Sequence, residues 1–171
     1  GHAMTSAFGD TRTARLARYI ADMNDASLPQ TTVEKAKLHI LDTLGAIVSG
    51  YALSAGKAAL RLVESETGAK EASLAISGRR VPAAVAAFAN AMAAHADETD
   101  DTHPASITHP GCAVVPAALA ACEFYRRSGL DLIRAVTLGY DFCARTGMAL
   151  GAGRFLTEKS FDPHAFGGTI G

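Results

Sequence analysis

Between Ala83 and Ala94 the chain reads Ala-Ala-Val-Ala-Ala-Phe-Ala-Asn-Ala-Met-Ala-Ala. Alanine forms helix best because it gives up no side-chain rotamers and buries no polar group. A helix with so little bulk has to be covered by close neighbours on several sides. Pro82 suits its first turn, where the missing amide donor would be unsatisfied anyway, and the helix is predicted to reach about Ala96. Composition agrees with packing through small residues. Hydrophobic residues make up 49%, much of it alanine, while aromatics are 6% and tryptophan is absent. An aromatic-rich sheet core is not indicated.

Helical periodicity extends over most of the remainder. Thr13 to Met23 carries Leu16, Ile20 and Met23 at three- and four-residue steps. After the Ser27-Leu28-Pro29 break, Thr31-Thr32-Val33-Glu34 offers a capping box. The helix it opens bears Val33, Leu38, Ile40, Leu41, Leu44 and Val48 and ends near Gly50. Gly45 and Ala46 suit either close approach of a second helix or a tolerated helix glycine. A third helix runs from about Ser54 to Glu66, and Glu71 to Ile76 is a short strand candidate. Cys112 to Arg127 is helical. Ser128-Gly129-Leu130-Asp131 caps the next helix, which continues to about Leu150, and Gly151-Ala152-Gly153 is a loop. A last helix opens after Ser160 to His164. The fold class predicted is all-α, a bundle-like helical domain with one short strand near 71–76. Residues 1–3 read as an expression scar and 4–171 as a single helical domain, an N-terminal fragment of a longer two-domain protein.

The net charge of −1 gives no electrostatic case for nucleic acid or an anionic membrane. Arg79-Arg80 and Arg126-Arg127 are too short to be binding stripes. No apolar run approaches membrane-span length and no signal peptide is visible, so a soluble, cytoplasmic protein is expected. Cys112, Cys122 and Cys143 show neither CxxC spacing nor a disulfide framework, which fits a reducing compartment and buried structural thiols. Gly147-x-x-x-Gly151-x-Gly153 lacks the strand a dinucleotide fold requires, and Gly167-Gly168-Thr169-Ile170-Gly171 lacks the lysine of a phosphate loop. Both read as turn or close-packing glycines. Ser106 and Ser160 have no G-x-S-x-G context.

Chemistry concentrates between His95 and Gly111. Asp97, Glu98, Asp100 and Asp101 share this stretch with His95, His103 and His109, without a lysine or arginine among them. Groups that trade protons, gathered where one helix ends and another begins, suit acid–base catalysis. His95 falls near a helix C-terminus, where a cation is favoured. His109-Pro110-Gly111 leads into a helix whose free amides suit a substrate carboxylate. Abstraction of a proton beside a carboxylate, with loss of a β-hydroxyl, fits these ingredients. Against this stand capping and solvation for the carboxylates and a satisfied structural role for the imidazoles, which is the favoured reading of His95 and of His39. Metal binding competes, but no histidine pair has i, i+4 spacing and no cysteine joins the pattern, so no metal ligand is assigned.

The run Phe88-Ala-Asn-Ala-Met-Ala-Ala-His95, then Glu98-Thr-Asp-Asp-Thr-His103, then His109-Pro-Gly resembles the signature of the MmgE/PrpD family. Similar stretches are Asp42-Thr-Leu-Gly45 with Gly50, Pro116 to Glu123 with Ser128-Gly129, Ala135 to Tyr140 with Arg145, and Gly168 to Gly171. The resemblance implies a mostly helical domain followed by a smaller α+β domain, this chain being roughly the first third. It implies a homodimer and a cofactor-independent lyase acting on a small polycarboxylate, as in 2-methylcitrate dehydratase and cis-aconitate decarboxylase. By position, Glu98 matches an acidic residue, Thr102 a substrate-contacting threonine and His109 an active-site histidine. Asp100, Asp101 and His103 complete the loop. Where relatives carry a Phe-His-x-Thr-like run, this chain reads Phe161-Asp162-Pro163-His164, with the imidazole two positions on.

The expected function is therefore elimination of water by a dehydratase of the 2-methylcitrate type. His109, Asp101, His103 and Glu98 are the catalytic candidates, and Thr102, Asp100 and His164 bind substrate. Lys159, Arg79 and Arg80 are the nearest candidate cations. Decarboxylation or epimerisation in the same pocket is the nearest alternative. A catalytically silent helical dimerisation module and a metal-dependent hydrolase are the readings from other classes.

Overall fold

The computed structural model describes residues 9–24, 27–151, 154, 158 and 162–170. In chain order these form α1 (Arg12–Asn24), α2 (Gln30–Gly50), α3 (Ser54–Glu64), β1 (Ala72–Ser73), β2 (Arg80–Val81), α4 (Ala83–Ala94), α5 (Pro110–Phe124), α6 (Gly129–Ala149) and α7 (Pro163–Ile170). The fold is mostly helical, as expected. The strand candidate is real but shorter than its apolar run. β1 pairs antiparallel with β2, Ala72 opposite Val81 and Ser73 opposite Arg80, and Gly78, at φ +66°, closes the connection.

Helix α4 lies at the centre, packed against α2, α3 and α5, and α5 in turn packs on α6. Ala86, Ala89, Ala93 and Ala94 are fully buried, which is where alanine without bulk has to go. The buried polar group on this helix, Asn90, is satisfied from two directions. Its Oδ1 accepts from Tyr51 OH at 2.8 Å and from the Ala75 amide at 3.1 Å, and its Nδ2 donates to the Ser73 carbonyl at 3.1 Å. One amide thus ties the hairpin and the end of α2 to the central helix. Burial pushes the Tyr51 phenol up to about 12, because the phenolate would lose its hydration there.

Close approach between α2 and α4 falls at Gly50, not at Gly45. A Cβ on Gly50 would run into the Ala93 carbonyl, whereas one on Gly45 meets nothing within 4 Å. Gly45 is therefore the tolerated helix glycine. The predicted capping box of α2 also gives way. Pro29 is the N-cap, with no side-chain cap bond, and its carbonyl receives the Thr32 and Val33 amides at 2.9 and 3.1 Å. The helix thus begins before Thr31. Glu34 turns instead to Gln30 and Lys37.

The Ser128 cap holds as read. Ser128 Oγ accepts from the Asp131 amide at 3.2 Å, and Asp131 Oδ2 accepts from the Ser128 amide at 3.0 Å. Helix α5 stops short of Arg127, because Arg126 takes φ +52° and the Arg127 amide folds back to the Cys122 carbonyl at 2.8 Å. The three cysteines are free. Cys112 and Cys143 are buried as expected, but Cys122 is only partly so. Among the described residues no single helix is long and apolar enough to cross a membrane. The α2–α3 pair passes that test only jointly and is bent by 82°.

Candidate active site

The loop between α4 and α5 starts at His95, the C-cap of α4, and ends at His109, the N-cap of α5. Glu98 and Ile107 occupy left-handed backbone, φ +55° and +52°. Its base rests on two close-packing glycines. A Cβ on Gly147 of α6 would lie 2.7 Å from Ser106 Cβ, and one on Gly167 of α7 would lie 3.0 Å from Thr108 Cγ2. Both glycines therefore serve close packing, one of the two roles read for them in the sequence.

Asp101 anchors this loop. Its Oδ1 accepts from the Gly111 amide at 2.9 Å, and its Oδ2 accepts from Tyr140 OH at 2.7 Å and meets His39 Nδ1 at 2.9 Å. The carboxyl group thus caps α5 and joins it to α2 and α6. Burial first, and then the bond to Asp101, push the Tyr140 phenol upward. Gly111 makes this convergence possible: an added Cβ would sit 2.6–2.8 Å from Thr43 Oγ1, Asp101 Oδ1 and Tyr140 OH. The α5 amides were expected to be open for a substrate carboxylate. Proline at 110 has no amide hydrogen and the Gly111 amide already belongs to Asp101, so these two positions of the first turn offer nothing to a substrate carboxylate.

His109 is oriented by the backbone of Asp101. Its Nδ1 lies 3.0 Å from the Asp101 carbonyl and 3.3 Å from Thr102 Oγ1. A carbonyl oxygen can only accept, so Nδ1 carries the proton in the neutral ring and the lone pair resides on Nε2. The charge beside it comes from Asp100, whose Oδ2 lies 3.9 Å from His109 Nδ1. The Asp101 side chain is engaged with Gly111, Tyr140 and His39 instead.

His103 faces its own loop. Its Nδ1 is 2.7 Å from Ser106 Oγ, its backbone pairs with Thr108, and buried Ser106 lies 2.6 Å from Thr108 Oγ1. These bonds make it a staple of the 103–108 turn. Glu98 is exposed, and among the described residues it makes no hydrogen bond to the Asp101–His109 group. The side chain of His164, like Lys159, lies outside the described residues. Arg79 and Arg80 are committed to the hairpin: Arg80 pairs with Glu123 at 3.1 Å and donates to the Glu71 carbonyl, and Arg79 donates to the Glu66 carbonyl.

Residues outside the loop went unrecognised in the sequence. Lys35 and His39 line a cleft of about 380 Å³ between α2 and α6, together with Thr137 and Tyr140. A neighbouring cleft adds Leu41, Asp42 and Asp101. Lys35, His39 and Thr43 follow i, i+4, i+8 spacing along α2, a polar stripe that was the available signal. His95, read as structural, also belongs to the site. Its Nδ1 is 3.0 Å from Asp100 Oδ2 and its ring centroid is 5.6 Å from that of His109. A cysteine does join the pattern. One ligand atom each from His95, Asp100 and Cys112 lie within 4.8 Å of one another. Burial and then the Asp100 carboxyl push the Cys112 thiol upward.

Three known proteins are similar to this chain. Human cis-aconitate decarboxylase is 32% identical over 169 residues, covering 93% of this chain and 34% of its own length. Its mouse counterpart is 34% identical over 149 residues, covering 81% and 29%. The cis-aconitate decarboxylase-like protein oryM of Aspergillus oryzae is 25% identical over 162 residues, covering 91% and 34%. The chain spans about a third of the length of these curated relatives. Residues 14–171 match the MmgE/PrpD N-terminal domain. With that match covering nearly its whole length, the chain belongs to the MmgE/PrpD family.

Proposed function

We propose that the protein carrying this segment is a lyase acting on a small polycarboxylate, with His109 as its acid–base group. One observation supports this above the rest. His109 Nδ1 points at the Asp101 carbonyl, 3.0 Å away, with the Asp100 carboxyl 3.9 Å from the same nitrogen. Nε2 is then the nitrogen that takes or gives a proton.

Decarboxylation takes precedence over dehydration, because the relatives are named as decarboxylases or decarboxylase-like. In that reaction the bond from a substrate carbon to its carboxylate breaks, carbon dioxide leaves, and the electron pair stays on the carbon skeleton. The skeleton then takes a proton from the His109 imidazolium. Dehydration of the 2-methylcitrate type uses the same group in the other direction: Nε2 removes a proton beside a carboxylate, and hydroxide leaves with a proton as water. Thr102, exposed beside His109, supplies a hydroxyl for the substrate in either case.

Incubating the complete protein with cis-aconitate and, separately, with 2-methylcitrate in deuterated water distinguishes the two by NMR. The expected result is carbon dioxide release from cis-aconitate with one deuteron taken up. Loss of water from 2-methylcitrate would select dehydration instead. His109→Ala should lower turnover by about 10²–10⁴-fold, far more than it lowers stability. Undiminished turnover in that variant, or conversion of neither acid, contradicts the proposal.

A further inference from the structure

Beside His109, the Asp100 carboxyl also belongs to a second set of atoms, which includes His95 and Cys112. Asp100 has a fully buried side chain, and its Oδ1 has no hydrogen-bond partner. A buried acceptor in that condition costs about 1–3 kcal/mol, and a cation is one of the few things that can satisfy it. The carboxyl group is also one of the three groups, with the His95 imidazole and the Cys112 thiol, whose ligand atoms lie within 4.8 Å of one another.

We propose that His95, Asp100 and Cys112 bind a soft divalent cation of the zinc class. Imidazole nitrogen, thiolate sulfur and carboxylate oxygen are the three donors that zinc accepts in proteins. Calcium and magnesium take oxygen shells and would leave the sulfur and nitrogen unused, so the donor set selects against hard cations. The ligands also hang on fixed points: His95 caps α4, Cys112 lies in the first turn of α5, and Asp100 sits in the loop between them. The His95 side chain is 41% exposed and gives an ion access to the two buried ligands.

Coordination balances in charge and protons. The Cys112 thiol, which now donates to the His109 carbonyl at 3.2 Å, releases its proton to solvent and binds as thiolate. Thiolate and carboxylate together neutralise the two positive charges of the ion. Three protein ligands leave at least one coordination position for solvent. The proposal goes beyond the lyase reading and does not depend on it, since it concerns binding and not turnover.

Cobalt(II) titration of the purified chain tests it, because cobalt substitutes for zinc and reports its ligands by colour. One equivalent should produce a near-ultraviolet thiolate-to-cobalt charge-transfer band that equimolar zinc then removes. Cys112→Ser should abolish the band, and Asp100→Asn should weaken cobalt binding about tenfold or more, with circular dichroism confirming that each variant is folded. X-ray absorption on the zinc-loaded unmodified chain needs no variant and should show one sulfur among nitrogen and oxygen neighbours. Absence of the band in excess cobalt, its survival in Cys112→Ser, or a zinc shell without sulfur would overturn the proposal.

Discussion

Asp100 and Asp101 are adjacent in sequence yet serve different neighbours. Asp101 gives both oxygens to Gly111, Tyr140 and His39, and its backbone carbonyl to His109. Asp100 is buried against His95, with one oxygen unsatisfied. One holds the loop and the other supplies the charge. Gly111 is where the first arrangement is most exposed to change. Gly111→Ala would force a methyl group against three polar atoms at 2.6–2.8 Å, and overpacking of that kind costs about 1–3 kcal/mol. The expected outcome is a lower midpoint in urea denaturation together with a shift of the Tyr140 ring resonances. An unchanged midpoint would mean that the Asp101 junction is looser than described. The residues of the 95–111 loop were legible because they share one stretch of chain. His39 and Tyr140 were not, because α2 and α6 bring them in from distant segments, and an imidazole inside an apolar helix looks structural until its partner is known.

At the scale of elements, the two glycines of α2 make a matched pair. Gly45 faces open space, so Gly45→Ala removes only the entropic cost of a helix glycine and should stabilise the chain by about 0.5–1 kcal/mol. Gly50 abuts the backbone of α4 at Ala93, where no rotamer can yield, so Gly50→Ala should cost about 3 kcal/mol or more. Thermal melts of the two variants give opposite signs if the α2–α4 crossing is as described, and equal shifts would refute it. The helices themselves were readable, because alanine content, Pro82 and the Ser128–Asp131 cap act locally. The start of α2 was misread because Pro29 receives the first amides before Thr31 can. The crossing point was not readable, since periodicity says which face is buried but not where a partner helix touches it.

Over the whole molecule, a central alanine helix packed against α2, α3 and α5 fixes where the loop emerges, and α6 and α7 support it through Gly147 and Gly167. Family membership rests on nearly the full length of the chain, and the site occupies the junction of α4 and α5. The central claim is that this scaffold presents His109 with its proton on Nδ1 and its lone pair on Nε2. Long-range nitrogen–proton NMR of the histidine side chains, recorded above the ordinary imidazole range, reads that tautomer directly. The account predicts a protonated Nδ1 and an unprotonated Nε2 for His109. A proton on Nε2 would contradict it, because the Asp101 carbonyl would then face a lone pair and the nitrogen proposed to act as base would be blocked.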